Sequence, residues 1–126
     1  MFQWLKGNSH TNVVTLSDTC ITLNNSAASH FSDVRWCLIG IDYDRSLLAI
    51  KPVSKHDYDL HIYPLENLHK VSIGNGYGRI TNKSIMKNIS GLLNEPLNNL
   101  KLLAEYDANQ DMLIVDLTQQ YREGLL

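Results

Sequence analysis

The side chains best placed to do chemistry fall in one stretch. Between Glu66 and Glu95 there is no carboxylate, and Lys70, Arg79, Lys83 and Lys87 give that stretch a formal charge of +4, with His69 beside them. Residues 102–126 hold five carboxylates against one arginine, or −4. Charge segregated in this way suits a phosphate-bearing partner, because phosphates are held by cations and by helix N-termini. Lys83 and Lys87 stand i and i+4 on an expected helix, on the face away from Ile85, Met86 and Ile89. Arg79 lies on the strand leading into that helix, and the turn Gly74-Asn75-Gly76-Tyr77-Gly78 brings backbone close by. Nucleic-acid binding is therefore expected at Lys70, Arg79, Lys83 and Lys87, with an affinity that falls steeply with salt. The competing explanation is a solvated helix face beside a hairpin tip, since an acidic chain repels DNA.

Other constellations point to local structure. Gly74 to Arg79 is not a dinucleotide fingerprint, which needs glycine where Arg79 stands, and no Gly-Lys-Ser/Thr follows to make a P-loop. His56, Asp57, Asp59 and His61 carry ligand-type atoms, but on a strand His56 points away from the other three, so a solvated arm is expected and no metal site is assigned. The pairs Asp42/Asp44 and Glu105/Asp107 bracket turns, which explains them. Cys20 and Cys37 form no CxxC motif and read as two reduced, buried thiols. No nucleophile, base and orienting group fall into a recognisable pattern. A non-enzymatic protein with no catalytic residues and no cofactor is expected.

Length and composition bound what can position these residues. The chain has 126 residues and a mass of 14.3 kDa, with 44% apolar and 19% charged residues and a net charge of −2. That fits a single domain over 1–126 with its own core. Its densest apolar run, Trp36-Cys37-Leu38-Ile39-Gly40-Ile41, is too short to span a bilayer, so no membrane is expected. Met1 to Lys6 is too short and too polar for a signal segment, which together with the unpaired cysteines points to a cytoplasmic location. The segments before Asn12 and after Thr118 read as flanking arms, with Phe2 and Trp4 available to dock on the core or on a partner.

Periodicity and turn residues give the elements. Val13–Ser17 and Cys20–Leu23 read as strands joined by an Asp18-Thr19 turn, with Asn24 or Asn25 capping a short helix over 26–31. Arg35–Tyr43, apolar on both faces, reads as a buried strand that returns through Leu47–Val53. Pro52 confines the latter to a sheet edge or a strand end. In Ser54–Leu68, Tyr58, Leu60 and Ile62 alternate with Asp57, Asp59 and His61, which predicts an extended arm with one face on the core. Lys70–Ile73 and Arg79–Thr81 form a hairpin about Asn75-Gly76. Thr81 or Asn82 caps a helix to about Leu93, whose apolar spacing is the clearest in the chain. Leu100–Tyr106 and Met112–Leu117 close the chain as strands.

The two halves share one order: hairpin, helix, hairpin. Asn24 to Phe31 lines up with Asn82 to Ile89, and Asp42-Tyr43-Asp44 with Glu105-Tyr106-Asp107. The offset grows from 58 to 63 residues, which puts about five extra residues in the second helix. The first anchor sets Ile21 and Leu23 opposite Arg79 and Thr81, a one-residue slip in strand face that requires a bulge or a shifted anchor. Chance likeness of two β-β-α-β-β stretches is the alternative.

The unit resembles that of the AbrB-like swapped-hairpin proteins, which include MazE-type antitoxins and MraZ. Tyr77-Gly78-Arg79-Ile80 is similar to the Gly-Arg-Val/Ile start of that family's second strand, and the acidic-turn hairpins at Asp42–Ile50 and Glu105–Val115 to its closing hairpin. The resemblance covers Asn12–Val53 and Lys70–Leu117, and the pattern is also similar to small proteins of Gram-positive bacteria and their phages. It implies an α+β fold in which two β-β-α-β-β repeats, 12–53 and 70–117, interlace as a pseudo-twofold swapped-hairpin barrel, joined by the arm 54–69. Each unit by itself has too little core to stand alone. It also implies a regulatory, antitoxin-like DNA-binding role through Lys70, Arg79, Lys83 and Lys87. The alternative is a protein-interaction module or phage-type inhibitor that docks on a partner protein, and a homodimer is open in either case.

Overall fold

In the computed structural model, which describes residues 1–2 and 11–120, alternating apolar residues build nine antiparallel strands. They are β1 (Asn12–Leu16), β2 (Cys20–Leu23), β3 (Trp36–Asp42), β4 (Leu47–Val53), β5 (His69–Lys70), β6 (Ser72–Gly74), β7 (Tyr77–Thr81), β8 (Leu100–Asp107) and β9 (Met112–Gln120). Three short helices accompany them: α1 (Asn25–Ser29), α2 (Lys55–Asp59) and α3 (Lys83–Leu93).

The strands lie in the order β5-β3-β4-β9-β8-β1-β2-β7-β6. The two ends of that order are neighbours in sequence. Only Val71 separates β5 from β6, and its N–H donates to the Arg35 carbonyl at 2.9 Å. The continuous segment 69–74 therefore pairs with β3 at one end and with β7 at the other. This brings the two edges of the sheet together into a nearly closed antiparallel barrel, which leaves little unpaired edge for aggregation.

One residue in two faces inward, as strand pleating requires. Leu102, Val14, Leu23, Gly78 and Ile73 form one such row, each paired with the next across β8, β1, β2, β7 and β6, with Ile73 partly exposed at its end. Leu16, Ile21, Ile80, Cys37, Leu48, Ile50, Leu113 and Val115 complete the barrel interior, joined by Ala27, Ala28 and Phe31 from the α1 region and by Met86 and Ile89 of α3. Gly78 suits the closeness of this packing. A β-carbon there would come within 2.9 Å of Ile73 Cδ1 and 3.4 Å of Ala28 Cβ.

The hairpin turns follow the residues that dictate them. Asp18-Thr19 makes a two-residue turn closed by Ser17 N–H donating to the Cys20 carbonyl at 3.0 Å. Asn75-Gly76 does the same between Gly74 and Tyr77, with Gly76 at φ 79°. The hairpins β3–β4 and β8–β9 share one loop design. Asp42 Oδ1 accepts from the backbone N–H groups of Asp44 and Arg45, both at 3.1 Å, and Ser46 ends the loop at φ 55°. Asp107 Oδ1 accepts from Asn109 and Gln110 at 2.9 and 3.2 Å, and Asp111 ends that loop at φ 53°. Asp42 pairs with Leu47 and Asp107 with Met112. The matching positions are thus 65 residues apart, so the expected alignment of Asp42-Tyr43-Asp44 with Glu105-Tyr106-Asp107 is two residues out.

The slip expected after the first hairpin has a simple cause. Asn24 and Asn82 both cap helices. Leu23, the last inward residue of β2, precedes Asn24 directly, whereas Ile80 precedes Asn82 with Thr81 between them. One inserted residue keeps both strands facing the core.

Three expectations are corrected. Residues 54–68 are not an extended arm: Ser54 Oγ accepts from Asp57 N–H at 3.1 Å and starts α2, a 3-10 turn follows at Leu65–Asn67, and Leu60 and Ile62 are exposed. The local capping bond outcompetes the period-two pattern. β3 is covered on one face only, since Leu38 is half-buried and Gly40 exposed on the outside. Phe2 does not dock on the core, being exposed, while Trp4 lies outside the described residues. Pro52 does sit at a strand end, as expected, beyond the β4–β9 ladder that stops at Ile50.

Candidate nucleic-acid interface

Strand register decides which cations share a surface. Thr15 pairs with both Lys101 and Thr22, Thr22 with Arg79, and Arg79 with Ser72. These residues alternate with the buried row above, so Lys101, Thr15, Thr22, Arg79 and Ser72 cross the outside of the barrel as one line. Lys70 lies two residues before Ser72 on the same outward side of the 69–74 segment. The outward positions of β1, β2, β7 and this segment carry Val13, Thr15, Cys20, Thr22, Tyr77, Arg79, Thr81, Lys70, Ser72 and Gly74, and none is a carboxylate. The Arg79 guanidinium lies over the Tyr77 ring at 5.6 Å, which steers it without neutralising it.

Lys83 and Lys87 sit elsewhere. Both are exposed on the first turns of α3, where Asn82 Oδ1 accepts from Ile85 N–H at 3.0 Å. With Asp18 and Thr19 of the first turn they line a shallow groove of about 440 Å³ at the end of the barrel. Of the four expected site residues, Lys70 and Arg79 thus share the outer strand face, while Lys83 and Lys87 line the end groove beside Asp18. His69 adds no charge at neutral pH. Burial holds its imidazole below the ordinary histidine value, and its Nδ1 lies 3.4 Å from Asn82 Nδ2.

A second cationic feature adjoins the first through Lys70. A cleft of about 620 Å³ is lined by Lys70, Arg35, Lys55, Trp36 and Tyr58 together with Asp33 and Asp59. Trp36 and Tyr58 stack at 5.4 Å with their planes 3° apart. Lys55 pairs with Asp59 at 3.5 Å in an exposed i,i+4 bridge that contributes little. Arg35 and Lys55 escaped the sequence reading because they lie outside the acid-free stretch. Lys101 escaped it because only strand pairing sets it in line with Arg79.

Cys20 lies on the outer face within reach of Arg79. Burial raises its thiol, but hydrogen bonds to Ser17, Thr22 and Thr19 and the Arg79 charge outweigh that, and the net shift is downward. Cys37 is buried in the core, and burial pushes its thiol up to about 12. Among the described residues no three His, Cys, Asp or Glu side chains converge as metal ligands, and no helix is long and apolar enough to cross a membrane. No protein-family model matches the chain, and no curated protein or solved structure matches it either.

Proposed function

We propose that this chain is a non-enzymatic regulatory binding protein of the cytoplasm that contacts the phosphates of DNA, in the AbrB-like or antitoxin-like manner, through the outer face of β1, β2 and β7. The observation that carries this reading is the line Lys101–Thr15–Thr22–Arg79–Ser72 with Lys70 beside it. Cations spaced by hydroxyls, with no carboxylate between them, match what a phosphate backbone accepts: point charges and short hydrogen-bond donors. A net charge of −2 does not oppose this when the acidic residues lie elsewhere on the barrel.

We also propose that the barrel is two interlaced repeats within one domain, related by a pseudo-twofold axis. The strand order, read as a ring, maps onto itself when β1, β2, β3 and β4 are exchanged with the 69–74 segment, β7, β8 and β9. Thr22 pairs with Arg79 and Ala49 with Ile114, so at each seam a residue meets its own counterpart, 57 and 65 positions on. On this reading the axis emerges at the Thr22–Arg79 pair, in the middle of the cationic face, which suits a partner with local twofold symmetry such as duplex DNA.

The test is fluorescence anisotropy with a labelled duplex across a salt series. Three phosphate contacts, at Lys70, Arg79 and Lys101, predict a slope of log K against log salt of about −2.7, and the double variant Lys70→Ala/Arg79→Ala is expected to lose about two thirds of it. Absence of binding even at about 50 mM salt, or a slope that the double variant leaves unchanged, refutes the reading. The second reading, a protein-interaction module, draws on the half-buried apolar side chains Leu38, Ala49, Met112 and Ile114 outside β3, β4 and β9. Absence of DNA binding at every salt concentration would favour it.

A further inference from the structure

We propose that the outer face of β3, β4, β9 and β8 is a self-association surface whose occupant is a second copy of this chain. In the ring of strands this face lies halfway round the barrel from the cationic one. Ala49, Ile114, Lys51 and Asp116 belong to no part of the cationic line, so self-association does not depend on DNA binding; β8 borders both faces, with Lys101 on one and Leu103 on the other.

Three observations support it. The outward side chains here are largely apolar. Ala49 and Ile114 pair at the centre, with Leu47, Met112, Leu38 and Leu103 around them, each half-buried or exposed where a soluble sheet usually turns polar. Next, two shallow grooves flank the central pair. One is lined by Leu38, Gly40, Ala49, Lys51 and Met112, the other by Leu103, Glu105, Ile114, Asp116 and Leu47. At the 65-residue spacing set by the matched hairpins these two sets correspond position by position, Met112 and Leu47 included. The backbone is thus matched on both sides of the centre, while the side chains differ in size, Gly40 against Glu105 and Ala49 against Ile114. A copy turned over about an axis lying in the face sets this patch against itself, as an isologous contact requires.

The third observation is charge. Lys51 in one groove and Asp116 in the other occupy corresponding positions with opposite sign. A dyad in the face, perpendicular to the line joining them, sets each Lys51 against the partner's Asp116 twice over. Neither side chain belongs to an ion pair among the described residues, where the pairs are Arg45–Asp42 and Lys55–Asp59. Lys51 Nζ donates only to the carbonyls of Gln110 and Asp111, which leaves its charge uncompensated. The Asp116 carboxylate accepts from Thr118 N–H at 2.9 Å and Oγ1–H at 2.6 Å, bonds that hold it ionised and in place. Such complementarity fixes the register of a contact more than its gross affinity.

Sedimentation equilibrium of the full chain over a wide concentration range tests this. A monomer–dimer equilibrium is expected. Lys51→Asp and Asp116→Lys should each weaken it at least about tenfold by turning both cross-pairs into like charges, and the double charge swap should restore it. Ala49→Arg, at the outward-facing, half-buried centre, should give a folded monomer by circular dichroism. Four results would overturn the proposal. They are a wild-type monomer at every concentration, a dimer insensitive to the single reversals, a folded double swap that stays monomeric, or dimerisation only after residues 1–10 are removed.

Discussion

Asn24 and Asn82 cap α1 and α3 in the same way, yet their replacement by alanine should cost different amounts. Asn24 Oδ1 accepts from Ala27 N–H at 3.0 Å and from Val13 N–H at 3.1 Å, while its Nδ2 donates to the Thr11 carbonyl at 2.7 Å. One side chain thus starts α1 and ties it to the first strand. Asn82 Oδ1 accepts from Ile85 N–H at 3.0 Å, and its Nδ2 has only the 3.4 Å contact to His69. Losing an N-cap to alanine costs about 1 kcal/mol. Each further half-buried hydrogen bond adds about 1 kcal/mol, because its partner is left without one. Asn24→Ala should therefore destabilise the protein by about 3 kcal/mol and Asn82→Ala by about 1 kcal/mol. Asn24→Asp, which keeps both acceptor bonds but sets an oxygen against the Thr11 carbonyl, should fall about halfway between wild type and Asn24→Ala. Urea denaturation followed by tryptophan fluorescence measures all three. Amide exchange at Val13 and Ala27 should accelerate together in Asn24→Ala. Equal losses at the two asparagines would show that the strand tie contributes nothing, and an Asn24→Asp variant as stable as wild type would show the same of the Thr11 bond.

Two further predictions follow from the titratable groups. At about pH 8 a thiol reagent should modify native Cys20 and spare Cys37, with both reacting once the protein is unfolded. Equal native rates would contradict the opposite shifts assigned to the two thiols, lowered for Cys20 and raised to about 12 for Cys37. His69 is held below the ordinary histidine value by burial, so the unfolded chain takes up its proton first as pH falls. Its contribution to stability should be full above the unfolded value of about 6.5 and be lost as pH falls through the lower folded value. An NMR titration of His69 with a midpoint at or above that of the unfolded chain would show the sign to be wrong.

Much of the architecture was legible because the interactions that decide it are local. Val14 and Leu16 against Thr15 set one strand's faces, Asn75-Gly76 and Asp18-Thr19 set two-residue turns, and Asn24 and Asn82 start helices, each within a few residues. The exception is instructive. Tyr58, Leu60 and Ile62 alternate as convincingly as any strand, but Ser54 sits three residues before Asp57 and its hydroxyl takes the helix-starting bond, so residues 55–59 coil instead. Short segments are decided by such single bonds, and periodicity over six residues is too weak to overrule them.

The candidate site was legible only as a list of cations. That Arg79 points outward follows from its place between Gly78 and Ile80, and that Lys83 and Lys87 share a helix face follows from their spacing. That Lys101 falls in line with Arg79, that Lys70 joins Arg79 on one face while Lys83 and Lys87 turn to the barrel end, and that Lys51 and Asp116 oppose each other across Ala49–Ile114 all depend on strand pairing. The amino-acid order determined the elements, their inward faces and the sign of their charge, since these rest on contacts between near neighbours. Only the closed sheet decided which elements lie side by side, because register is set by the simultaneous burial of side chains far apart in the chain, a condition that no local stretch contains.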